Sequence, residues 1–160
     1  MIDFPKLLRL LTEQQVEFIV IGGVAAVIHG SGRLTQDLDI VYQRSPENLT
    51  RLTRALAEQS PYLRGAPPGL PFQWSEATLG AGLNFTLETH VGALDLLGEI
   101  AGGGGYLTLL EHTIELEVFG ARFRCLDLPT LIQTKRAAGR PKDLEAIAEL
   151  ELILEERQKD

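Results

Sequence analysis

The chain has 160 residues, with 15 Lys and Arg against 22 Asp and Glu, for a formal charge of −7. That length suits a single domain over residues 1–160, and the acidic balance argues against broad adhesion to duplex nucleic acid through its phosphates. The lone cysteine, Cys125, excludes a disulfide framework or a cysteine-built zinc site within one chain, while Met1–Lys6 lacks a secretory leader and no apolar run approaches a membrane span; a cytoplasmic protein without membrane contact is expected.

Phe4, Leu7, Leu8, Leu10 and Leu11 recur at helical spacing, and Val16 to Ile21 then form an apolar, β-branched run suited to a buried strand. Gly22-Gly23 ends that strand, Val24 to His29 reads as a short helix, and Leu38 to Tyr42 follows as a second strand after Gly30-Ser31-Gly32. Pro46-Glu47 opens a helix with Leu49, Leu52, Leu56 and Ala57 on one side. Residues 61–73, rich in proline and glycine, read as a long loop or lid.

Two strands, Leu83 to Val91 and Ala93 to Ile100, meet near Gly92, and Gly102 to Gly105 follow as a flexible connector that lacks the Lys-Ser/Thr of a phosphate loop. Tyr106 to His112 suits a short helix, and Ile114 to Phe119 with Ala121 to Cys125 a hairpin around Gly120. A helix from Leu128 to Ala138 stops at Gly139, and Pro141 starts another that carries Leu144, Ile147, Leu150, Leu152 and Ile153. The alternation implies an α/β (α+β) fold, a mixed β-sheet with helices packed against it.

The residues that carry chemistry begin at Gly22-Gly23, at a helix N-terminus where free backbone N–H groups favour phosphate and glycine lets a ligand come close. Asp37 and Asp39 are two apart on a strand, so both carboxylates leave the same face while Leu38 and Ile40 enter the core. Two adjacent unpaired carboxylates repel, and a hard divalent cation bound with substrate phosphates resolves the conflict.

This block resembles the nucleotidyltransferase superfamily related to DNA polymerase beta, whose pattern is a Gly-Gly or Gly-Ser turn followed by Asp-apolar-Asp/Glu-apolar. The resemblance implies the nucleotidyltransferase fold and a third acid on a later strand, for which Leu94-Asp95-Leu96 is a match and Glu88 the competitor. Asp95 would join the metal site or serve as general base. The stretch from Leu131 to Asp143, with Lys135, Arg140, Lys142 and Asp143, looks like the Lys...Arg-x-Lys-Asp segment of minimal nucleotidyltransferases that include the AbiEii-type toxins, although Ala146 stands where that group often carries a further Asp.

What the resemblance implies is an enzyme that moves a nucleoside monophosphate from a nucleoside triphosphate to an acceptor, with magnesium, or manganese, as cofactor. The acceptor is left open among protein, transfer RNA and small molecule, and a toxin–antitoxin partner protein is implied by the toxin-like group. A silent nucleotide-binding or regulatory module is the alternative. Asp37, Asp39 and Asp95 would hold the metal; Gly22, Gly23, Arg33, Thr35 and Lys135 would meet phosphate. For Arg33 and Thr35 the alternative is ordinary turn chemistry, and for Lys135 a solvated helix position. Arg140, Lys142 and Asp143 read as surface residues at a helix start, and His29, His90 and His112 as structural.

Overall fold

The computed structural model describes residues 2–159, which form a mixed sheet of seven strands with seven α-helices around it. In chain order the elements are α1 (Phe4–Glu13), β1 (Phe18–Ile21), α2 (Gly22–Ile28), β2 (Asp37–Tyr42), α3 (Pro46–Ala55), β3 (Tyr62–Leu63), α4 (Glu76–Ala81), β4 (Phe85–Thr89), β5 (Gly92–Leu97), α5 (Tyr106–Leu109), β6 (Thr113–Val118), β7 (Ala121–Leu126), α6 (Leu128–Ala138) and α7 (Pro141–Gln158). The strands lie in the order β3-β4-β5-β2-β1-β7-β6. β2 runs parallel to β5 and β1 parallel to β7, while the other neighbours are antiparallel. The mixed α/β architecture expected from the sequence is therefore the one observed.

Local chemistry explains most boundaries. Asp3, Ser45, Ser75 and Asp127 each accept a hydrogen bond from a first-turn backbone N–H, from Lys6, Asn48, Thr78 and Thr130 respectively, and so start α1, α3, α4 and α6. Gly139 ends α6 at φ 67°, a conformation that costs glycine nothing. β1 is buried along its whole length, as an interior position between β2 and β7 demands. The core joins Leu7, Leu8 and Leu11 of α1 to Ile19, Ile40, Leu52, Leu94 and Cys125 across helices and sheet.

Three segments differ from expectation. The proline-rich 61–73 segment contributes an edge strand, with Tyr62 and Leu63 facing Glu88 and Leu87. Residues 76–81 form α4, a helix too short and too glycine-containing to announce itself by periodicity. The glycine tract is an ordered turn: Ile100 N–H donates to Gly104 O and Gly104 N–H to Ile100 O, and Gly102 packs so closely on α6 that a Cβ there would lie 2.5 Å from that of Ala137.

One buried side chain ties α3 to the central strands. Asn48 is fully buried; its Oδ1 accepts from Glu17 N–H at 2.7 Å, and its Nδ2 donates to Glu17 O and Gln43 O at 3.0 and 2.7 Å. Alanine at this position would leave Glu17 N–H and Gln43 O without partners, while Glu17 O keeps the Gln43 N–H at 3.1 Å. Asn48→Ala should cost about 3 kcal/mol in urea unfolding with an unchanged m-value, and a loss below about 1 kcal/mol would show that water replaces the amide.

Candidate functional site

The register of two parallel strands brings the acids together. Asp39 of β2 lies directly beside Asp95 of β5, and Asp37 precedes Asp39 by two residues on the same face. Leu38 and Ile40, which point the other way, are fully buried. One oxygen from each of Asp37, Asp39 and Asp95 lies within 4.8 Å of the others. Burial raises the pKa of Asp39, and the charges of Asp37 and Asp95 add to it, to about 8; burial and then Asp95 also raise that of Asp37, against the opposing pull of Arg64 and Lys142. Glu88 stands on β4 with a side chain 56% exposed and is not part of this carboxylate triad.

Gly22 and Gly23 pack under these acids. A Cβ at Gly22 would sit 2.2 Å from Asp39 Oδ2, and the residue has φ +66°; a Cβ at Gly23 would sit 2.6 Å from the Thr35 hydroxyl oxygen. The Gly-Gly pair is thus required for the acidic strand to lie against the start of α2. Thr35 in turn donates to Asp37 O at 3.1 Å, which fixes the entry of β2.

A cleft of about 430 Å³ opens beside the acids, walled by Gly22, Gly23, Thr35, Lys135, Arg140 and Lys142. Lys135, from α6, is half-buried; burial holds its ammonium pKa below the usual range, against Asp143 and Asp39, which favour the charged form. Asp143 departs from the surface reading: it is 3% exposed. Burial pulls its pKa up, yet hydrogen bonds from Arg140, at 2.7 Å from Nε, hold it below the ordinary carboxylate value.

Arg33 lines the same cleft, with its guanidinium 3.7 Å from Glu145 and 3.9 Å from Glu149 on α7. His29, read as structural, is buried with Nε2 at 2.7 Å from Leu126 O. The residue that sequence reasoning missed is Arg64, just beyond β3. Its Nη2 donates to Asp95 Oδ1 and to Leu87 O, both at 2.7 Å, and the guanidinium also lies 3.9 Å from Asp37 Oδ2 and 3.7 Å from Glu88 Oε2. No motif flags a lone arginine in a loop; only the pairing of β3 with β4 carries it to the acids.

The donor set fits a hard cation. It consists of oxygen alone, and Asp39 Oδ1 is buried with no hydrogen-bond partner, an arrangement that is costly for a carboxylate and is relieved by a metal bond.

The chain matches no known family profile and no curated protein sequence. Among solved structures it aligns with a protein of Thermotoga maritima provisionally assigned as a nucleotidyltransferase, at a TM-score of 0.59 and 17% identity over 93% of this chain and 94% of that one. The fold is accordingly the nucleotidyltransferase fold. At that identity the likeness speaks for the fold, and function must be argued from the site.

The raised Asp39 pKa has a measurable sign. Between the unfolded value near 4 and about 8, the folded protein holds a proton that the unfolded chain has released, so this carboxylate lowers stability progressively as pH rises through that window. In chelator, the melting temperature of Asp39→Asn should rise relative to wild type as pH climbs from about 5 to 8. Parallel pH profiles for the two proteins would rule out the carboxylate crowding.

Proposed function

We propose that the protein is a divalent-metal-dependent nucleotidyltransferase that moves a nucleoside monophosphate from a nucleoside triphosphate to an acceptor hydroxyl. The observation that carries this reading is the buried, partnerless Asp39 Oδ1 within a triad of carboxylates, next to a cleft that also holds Lys135. Asp37, Asp39 and Asp95 are the residues that would hold magnesium or manganese. When bound, the ion would supply charge neutralisation at the phosphates and at the entering and leaving oxygens.

The chain's own groups account for the rest. Lys135 meets the triphosphate oxygens, and its partly buried ammonium regains favourable charge pairing there. Gly22 and Gly23 border the cleft at the start of α2, where backbone N–H groups can face phosphate. Thr35 orders the strand entry, and Arg33 borders the same cleft. The acceptor oxygen attacks the α-phosphorus as its bond to the β-phosphate bridge breaks; pyrophosphate leaves, and the hydroxyl proton passes to Asp95. Catalysis then rests on positioning and electrostatics, with no covalent enzyme intermediate.

A second reading, a silent nucleotide-binding module of a toxin–antitoxin pair, is favoured by one observation. Ala146 forms part of the cleft wall, at the position where the toxin-like group carries a further carboxylate.

Both readings meet in one experiment: triphosphate labelled at the α- or γ-phosphate, incubated with protein, magnesium and source-cell lysate. Label should pass to an acceptor from the α-position and not from the γ-position, and Asp39→Asn should lower transfer by roughly a hundredfold or more. Saturable magnesium-dependent binding without transfer would select the silent module, and γ-label on the acceptor would point to a kinase.

A further inference from the structure

The acids already have a cation beside them. The guanidinium of Arg64 reaches across two of the three carboxylates, at 2.7 Å from Asp95 and 3.9 Å from Asp37, with Glu88 at 3.7 Å on its other side. One guanidinium thus serves three carboxylates. The fit is incomplete: among the described residues, two buried side-chain atoms lack any hydrogen-bond partner, Asp39 Oδ1 and Arg64 Nε, and both belong to this network. Glu88 is too far from Arg64 Nε to accept a hydrogen bond from it.

A single event relieves both atoms. A cation seated among the three aspartates would give Asp39 Oδ1 a partner, and it would compete with Arg64 for Asp95 Oδ1. The arginine has somewhere to go. Its side chain forms one wall of a second cleft of about 740 Å³, lined also by Thr35, Gln36, Asp37, Glu88 and Ala93. Its backbone N–H is fixed to Thr86 O at 3.0 Å, so the side chain can turn into that cleft while the strand pairing stays in place, giving up its hydrogen bond to Leu87 O. There Nε would meet water or Glu88.

We propose that Arg64 is a resident counter-ion of the acidic triad, which a divalent cation must displace from Asp95 in order to bind. Metal entry and the release of the guanidinium toward the second cleft are then one coupled step. This rests on the reading of the aspartates as a metal site. It makes Arg64 a positioning residue that restrains Asp95 until metal arrives, and it predicts the opposite sign from an arginine that merely orients a metal ligand, whose removal weakens metal binding.

Two measurements test it. Calorimetric titration with magnesium alone should show Arg64→Gln binding about tenfold more tightly than wild type, the worth of one charged hydrogen bond removed from the competitor. The gain should persist at roughly 1 M salt, where the screening length of about 3 Å removes a diffuse field effect. In the unsubstituted protein, magnesium should speed exchange of the Arg64 Nε proton, followed by nitrogen-15 NMR, as that buried group reaches solvent. The NMR arm holds even if the variant folds poorly. Binding by the variant alone would be the extreme form of the expected result. Wild type and variant binding equally, a weaker variant, a gain lost in high salt, or an unmoved Nε proton would each overturn the role of Arg64 while leaving the metal site standing. If neither protein binds magnesium, the metal reading itself fails and takes this one with it.

Discussion

Like charges held together by strand register are the constraint on which this molecule turns. Parallel pairing of β2 with β5 sets Asp39 opposite Asp95, and strand alternation adds Asp37 to the same face. Neither strand can slip to relieve the repulsion, because a one-residue shift would drive the acids into the core and Leu38, Ile40 and Leu94 out of it. The surroundings answer that tension. Gly22 makes room for the Asp39 carboxylate, burial keeps its proton on to unusually high pH, and Arg64 covers Asp95.

The C-terminal helices serve the same centre from the other side. α6 brings Lys135 to the acids, the left-handed turn at Gly139 reverses the chain, and α7 returns with Asp143 buried under Arg140. Farther along α7, Glu149 accepts from the Ser31 hydroxyl at 2.5 Å and from Gly32 N–H at 3.1 Å, and Arg157 donates to His29 O at 2.9 Å. The segment leading into Asp37 is therefore held by a helix more than a hundred residues away in sequence. Arg33 extends the same attachment through Glu145 and Glu149, so its position is explained by α7 whether or not it also meets phosphate.

Much of this was readable from the amino acids, and the limits have physical causes. Periodicity located every long helix and the central strands, because amphipathic stripes and β-branched runs are local properties. The Gly22-Gly23 and Asp37-x-Asp39 pattern pointed to a site for a similar reason: each residue needs its neighbours at a fixed offset. Asp95 is what the family resemblance implies as the third acid, with Glu88 as its competitor, and the pairing of β5 with β2 puts it beside the other two. Arg64 and the burial of Asp143 escaped notice because both depend on tertiary contacts, an edge strand of two residues in one case and a helix reversal in the other. The glycine tract misled for a related reason. Glycine signals freedom in an isolated chain, but here it permits close contact with Ala137.

The parallel pairing of β1 with β7 also bears on how the chain is made. Ile19 and Val20 meet Arg124 and Cys125, so the fully buried strand β1 acquires its second neighbour only after more than a hundred further residues have been synthesised. Until then Phe18 to Ile21, apolar throughout, present an open edge of the kind that recruits other chains. The antiparallel partner β2 follows close behind and can protect one side early; the other must wait for the β6–β7 hairpin. Such long-range closure slows folding. A nascent chain stalled before Ala121 would thus be exposed at its own centre, and the ribosome or a chaperone would have to shield the strand that the finished protein hides best.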